Sequence, residues 1–209
     1  MPNWILLTLS GLAATLALLA GYHRHGVSSR AGKILAFVAI FALPVAMMQL
    51  GFAAHMDRAK TTEFCVSCHV MQDYGRSLYL NDSSHIPAVH FQNNLVPQKE
   101  ACYSCHTNYT MFGTLTTKIE GTRHLLVQYL GTPPAPKDIQ LYEPYSNREC
   151  LHCHTGQRVF EEQSAHRGTP ELMGQLLSGQ VSCLRCHGRI HDINRLDRAV
   201  FWKEPDDAR

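Results

Sequence analysis

All eight cysteines of this 209-residue chain fall in four copies of one five-residue phrase: Cys65-Val66-Ser67-Cys68-His69, Cys102-Tyr103-Ser104-Cys105-His106, Cys150-Leu151-His152-Cys153-His154 and Cys183-Leu184-Arg185-Cys186-His187. Cys-x-x-Cys-His is the attachment phrase for c-type haem. Two thiols add across the vinyl groups of one porphyrin, and the adjacent imidazole is placed to bind its iron. Four copies with no cysteine left over predict four covalently attached haems. Cys65, Cys68, Cys102, Cys105, Cys150, Cys153, Cys183 and Cys186 would hold them, with His69, His106, His154 and His187 as adjacent iron ligands. Two rival readings fail on the histidines. Zinc ribbons combine Cys-x-x-Cys pairs and disulfide frameworks use cysteines two by two, but neither needs a histidine after every second cysteine.

Other residues offer second ligands. Met71 follows His69 by two positions, and a thioether can bind iron. Ser83-Ser84-His85 and Ser164-Ala165-His166 each stand 17 positions ahead of the next phrase (85 to 102, 166 to 183). That match reads as an internal repeat of two dihaem units, 65–106 and 150–187, with His85 and His166 as distal ligands. His90 competes with His85, and His191 lies close after the fourth phrase. Lys118 is a solvated cation or, if neutral, a possible iron ligand. His124 stays open between a distal ligand, an acid–base group and an ordinary helix-surface residue.

The elements that must position these groups are expected to be short. Residues 55–209 have no long apolar run and would bury little core for their length, a deficit that four porphyrins would fill. The expected fold is mainly α: an N-terminal transmembrane helical hairpin (1–54), a small helical multihaem domain with few or no strands (55–192), and a charged tail (193–209). A helix is predicted over Thr110–Leu130, ended by Gly131-Thr132-Pro133-Pro134-Ala135-Pro136, and a short one over Glu171–Leu177. The tail reads as mobile or partner-bound, with Phe201 and Trp202 as its apolar anchor.

Trp4–Ala20 and Ile34–Ala54 contain no charged residue and are near spanning length. The first lacks the basic flank of a signal peptide, so it is expected to be retained. Arg24, Arg30 and Lys33 lie between the two stretches with no acid among them, which places that loop in the cytoplasm and everything after Ala54 on the far side. Pro44 falls inside the second stretch, where a kink is expected. The first haem phrase begins so soon after the apolar stretch that haem 1 is expected at the membrane surface, within reach of a quinol. The formal charge of +2 omits the haem propionates, and no nucleic-acid partner is implied.

With Glu63-Phe64-Cys65-Val66-Ser67-Cys68-His69-Val70-Met71, the two Ser-x-His elements and the two-plus-two order of phrases, residues 55–192 resemble the NapC/NirT/NrfH family of membrane-anchored tetrahaem quinol dehydrogenases. The resemblance implies a small helical domain that oxidises quinol at haem 1 and passes electrons to a periplasmic reductase, anchored in the bacterial inner membrane. It also implies Met71 as the axial ligand of haem 1, His85 and His166 as distal ligands, and Lys118 near the position where some members use a lysine. A second apolar helix departs from the family's usual single one and would suit an oligomer or a subunit of a larger complex. Quinol oxidation needs a proton acceptor near the bilayer, and His55, Asp57 and His124 are the candidates. The alternative is an electron-transfer subunit inside a respiratory or photosynthetic membrane complex, without a quinol site of its own.

Overall fold

Helices dominate the computed structural model, which describes residues 3–22 and 28–203, in two units, 1–59 and 60–209. In the first unit, α1 (Asn3–Tyr22) is a twenty-residue helix without a charged side chain. Its length of about 30 Å matches a hydrocarbon core. A second helical run covers residues 30–58 and consists of α2 (Arg30–Phe37), a five-residue π turn (Val38–Ala42) and α3 (Leu43–Arg58). Ser29 caps its start, accepting from the Gly32 amide at 3.0 Å. Pro44 explains the π turn. A proline has no amide to offer the carbonyl four residues back, and here the Leu43 N–H instead donates to Val38 O, five residues back, so a change of register accommodates the ring. Arg30 and Lys33, expected in the loop, lie on α2, whereas residues 23–27 with Arg24 fall outside the described residues.

Small residues close the contact within this unit. Ala13 and Ala39 are its buried side chains among the described residues, and Ser10 Oγ donates to Met47 Sδ at 3.4 Å. Phe37, Ile40, Phe41, Met48 and Phe52 instead point outward. The run 30–58 is long and apolar enough to cross a membrane.

The second unit is a chain of short helices: α4 (Thr62–Val66), α5 (Gln72–Ser77), α6 (Ile86–Gln92), α7 (Ala101–Cys105), α8 (Gly113–Leu130), α9 (Asn147–His154), α10 (Arg158–Glu161) and α11 (Leu172–Ser178). Single 3-10 turns fall between several of them. Among the described residues there is no strand, only an isolated antiparallel bridge between Leu80 and Phe201. Side-chain caps set three of the haem phrases on helical starts: Thr61, Ser146 and Ser182 accept from the amides of Phe64, Arg148 and Leu184.

The side-chain core is correspondingly thin, with one cluster of Leu78, Phe91 and Ala101 and another of Leu80, Ala88 and Leu196. Gln92 Nε2 ties the two together, donating to Leu78 O at 2.9 Å and Leu80 O at 2.8 Å. Leu196 belongs to the segment expected to be a mobile or partner-bound tail. Up to Lys203 that segment packs back: Asn81 N donates to Val200 O and Trp202 N to Tyr79 O, because Leu196 and Phe201 give it more apolar grip than its charge suggests. Leu196→Ala should cost about 2–3 kcal/mol. The measurement is protease cleavage within residues 193–203, which should speed up in the variant, while an unchanged rate would mean that the segment is not docked.

Candidate haem-binding site

Each haem phrase sits on or just after a short helical turn, which turns its two cysteines to one side, and none of the eight cysteines is in a disulfide. The leading cysteines approach one another in pairs. The thiols of Cys65 and Cys102 are within hydrogen-bonding reach, and so are those of Cys150 and Cys183. The bond from Cys102 holds the Cys65 thiol down to about 7, helped by the Lys118 ammonium. The same bond and burial push Cys102 up.

Two residues that motif reading missed hold these pairs. Thr62, three positions before Cys65, donates through Oγ1 to Gln98 O at 2.8 Å and accepts from Ala101 N at 2.9 Å, just ahead of the second phrase. Asn147, three positions before Cys150, is buried and does the same for the fourth phrase. Its Nδ2 donates to Leu176 O at 2.8 Å and Val181 O at 2.7 Å, while Oδ1 accepts from Cys183 N at 2.9 Å. The available signal was a polar side chain at a common offset, obscured because the two residue types differ. Tyr145 and Tyr109 add braces to the second phrase, donating to Cys105 O and Ser104 O at 2.6 and 2.7 Å.

The histidine rings test whether haem fits. Imidazoles on opposite sides of one metal, each with a bond of about 2.1 Å, have ring centres about 6.5 Å apart. His106 faces His191 at 6.1 Å, His154 faces His90 at 6.1 Å and His187 faces His166 at 6.1 Å. In each pair one ring belongs to a haem phrase and the other does not. The outer three rings share a further feature. His90 Nδ1 donates to Ile86 O at 2.9 Å, His166 Nδ1 donates to Phe160 O at 2.8 Å, and His191 Nδ1 lies 3.2 Å from Ser77 Oγ. Because Ser77 spends its own proton on Tyr74 O, His191 is the donor in that contact. In the neutral form of all three rings Nε2 is therefore the lone pair, the tethered arrangement typical of metal-ligating imidazole. Burial, with His106 and His85 alongside, pushes His191 down to about 3, and burial lowers His154, so both rings stay neutral and able to ligate. His191 also adopts a left-handed backbone at φ +50°, a strained conformation of the kind found at functional positions.

His85 stands apart. It is 1 % exposed, and neither ring nitrogen has a hydrogen-bond partner among the described residues. Such a buried, orphaned imidazole demands an explanation, and a metal ligand supplies one. Its ring centre lies 6.4 Å from that of His191, which is also 6.1 Å from His106. The residues present fit covalently held, histidine-ligated haem.

The first phrase differs. His69 is exposed, Met71 is partly buried in the same 3-10 turn, and among the described residues His69 faces no second ring. Lys118, on α8, has Nζ 4.7 Å from the centre of the Tyr103 ring, and Lys60 Nζ lies 6.0 Å from the same ring. His124, also on α8, leans on Tyr142 at 5.2 Å, and its pKa is lowered by partial burial and then by Arg123. His55 and Asp57 are exposed on the last turns of α3, in the other unit.

A family model described as the NapC/NirT cytochrome c family, N-terminal region, matches residues 27–195. The chain is similar to the cytochrome c-type protein NapC of Escherichia coli, 23% identical over 153 residues that cover 67% of this chain and 72% of the relative. It is also similar to NapC of Paracoccus pantotrophus, 25% identical over 175 residues (76% and 70%), and to a putative tetraheme cytochrome-c type of Allochromatium vinosum, 27% identical over 167 residues (71% and 78%). No solved structure matches the chain.

Proposed function

The chain belongs to the NapC/NirT cytochrome c family, electron-transport proteins with covalently bound haem c, and on that footing we propose a more specific role. It carries four haems in two dihaem units, is anchored in the bacterial inner membrane by its apolar helices, and takes electrons from quinol at haem 1 for a periplasmic redox partner. The observation that carries this reading is the contrast among the phrases. The second, third and fourth each set their histidine 6.1 Å from a second, tethered imidazole. The first has an exposed histidine with Met71 after it, and it lies a few residues beyond the end of an apolar helix. A site ligated unlike the others and next to the lipid is where a lipid-soluble reductant would enter.

Bound haem supplies one-electron redox chemistry. The chain's residues do the rest. The eight cysteines hold the porphyrins covalently, and His106, His154 and His187 with His191, His90 and His166 fix three ligand pairs. His85 is a further buried ligand candidate, and Met71 is the candidate at haem 1. Oxidising a quinol to a quinone releases two electrons and two protons, so a base must accept protons there. His124 suits that part because its lowered pKa keeps it neutral and able to accept, and His55 and Asp57 on the last turns of α3 are the other candidates. Lys118 sits over Tyr103 of the second phrase and within electrostatic reach of Cys65 of the first, a position suited to contacting a quinol oxygen.

The test is the purified holoprotein in vesicles, with a short-chain quinol as reductant. The haems should be reduced. One of His55→Gln, Asp57→Asn and His124→Gln should slow that step by roughly a hundredfold while leaving reduction by dithionite unchanged. If all three variants match the parent, none of them is the proton acceptor. If the parent itself is not reduced, electrons arrive from another protein and the chain is a relay subunit.

A further inference from the structure

The longest helix of the haem unit, α8, leaves a large apolar surface uncovered. A helix turns about 100° per residue. On that basis Leu115, Ile119, Leu126 and Leu130 fall in one stripe along almost its whole length, and they are 48, 60, 56 and 83% exposed. The helix is held to the unit along both sides of this stripe. On one side Lys118 packs over Tyr103, and on the other Arg123 packs over Tyr142 at 4.1 Å with His124 leaning on the same ring. Its start is pinned as well, since a Cβ at Gly113 would collide with the carbonyl of Asn108. The stripe is therefore directed outward by firm contacts. Large, continuous exposed apolar patches mark interaction surfaces, and this one needs an occupant.

The contacts of α8 identify it. Tyr103 carries two ammonium groups, that of Lys118 and that of Lys60. Lys60 is the first residue of the haem unit and follows Arg58, the last residue of the apolar run 30–58, by two positions. The first half of α8 thus shares Tyr103 with Lys60, the residue at which the haem unit begins. Lys118 and Arg123 border the stripe, as the snorkelling cations of an interfacial helix do, and Tyr129 adds an exposed aromatic ring of the kind that settles at headgroup level. We propose that α8 lies in the surface of the lipid bilayer, with Leu115, Ile119, Leu126 and Leu130 in the boundary between headgroups and acyl chains. The haem unit then rests on the membrane along a second element and is held at a set orientation rather than hanging from one tether.

This inference rests on the membrane-anchored reading, and the experiment separates the two. A photo-crosslinking phenylalanine analogue is placed singly at Ile119, Leu126, Glu120 and Phe41 in the full-length holoprotein. Each variant is checked for full haem content and reconstituted in phosphatidylethanolamine–phosphatidylglycerol vesicles. After irradiation, mass spectrometry identifies the adducts. Lipid adducts at Ile119 and Leu126, several-fold above those at Glu120, about 110° round the helix from the centre of the stripe, support the proposal. Lipid at Phe41 with none at Ile119 or Leu126 overturns it while leaving the span intact. The same holds if the adducts at Ile119 and Leu126 are with haem, with this chain's own residues or with a second copy. No lipid at Phe41 overturns the membrane-span reading, whatever α8 reports.

Discussion

Replacing Asn147 by leucine should leave a chain that melts lower and carries less than its full complement of haem. The side chain is 6% exposed and makes three hydrogen bonds, to the carbonyls of Leu176 and Val181 and from the amide of Cys183. Leucine keeps the same branched shape but carries two bulkier methyls, so crowding adds to the loss of polar partners, which leaves those backbone groups unsatisfied. At 1–3 kcal/mol for a buried group without a partner, the net cost is about 3 kcal/mol after relaxation. The effect should be local as well as global, because one of the three bonds fixes the backbone of Cys183. If that cysteine wanders, the two thiols of the fourth phrase no longer meet one porphyrin together. Thr62→Val, the equivalent change ahead of the second phrase, should cost about 1–2 kcal/mol, since one hydroxyl with two bonds is lost. Thermal unfolding gives the stability change, and haem per chain by alkaline pyridine spectra gives the attachment. Asn147→Leu with unchanged melting and four haems would mean that the brace between phrases three and four is dispensable.

Removing the His90 imidazole should convert one haem from low spin to high spin. The ring faces His154 at 6.1 Å, and its Nδ1 is committed to Ile86 O, which leaves Nε2 as the lone pair. Alanine takes away that second ligand without touching the covalent phrase, so haem content should be unchanged while the ligand field of one iron weakens. Electron paramagnetic resonance of the oxidised protein, with near-infrared magnetic circular dichroism, distinguishes the two states. His166→Ala should do the same at the fourth phrase, through His187. The contrast that matters is with His85. If His90→Ala leaves all haems low spin and His85→Ala alone converts one, the assignment of His90 to the third phrase is wrong, and the orphaned nitrogens of His85 mark the true ligand.

The ring pairs differ in one respect from what reading the chain in order suggests. The Ser-x-His elements make His85 and His166 equivalents, at equal distance from the next phrase. By hydrogen bonding the equivalent of His166 is His90, because both give Nδ1 to a backbone carbonyl and both face a phrase histidine. Counting positions cannot detect this, since short helices and 3-10 turns advance the chain by different amounts per residue. The pairs His90–His154 and His106–His191 also join residues far apart in the chain, and only folding brings them together. The docked segment up to Lys203 makes the same point, because a few apolar side chains decide it against the charge around them.

The amino-acid order by itself determined the chemistry: covalent haem from four local phrases, mostly short helices around it, and apolar segments of membrane length at the front. Those properties depend on neighbours a few residues apart, and local spacing records them in full. Only the tertiary structure decided which imidazole faces which phrase, that Thr62 and Asn147 brace the paired phrases, and that α8 turns an apolar stripe outward. Each of those depends on packing between distant segments, whose geometry is set by burial and hydrogen bonding across the fold rather than by any interval along the chain.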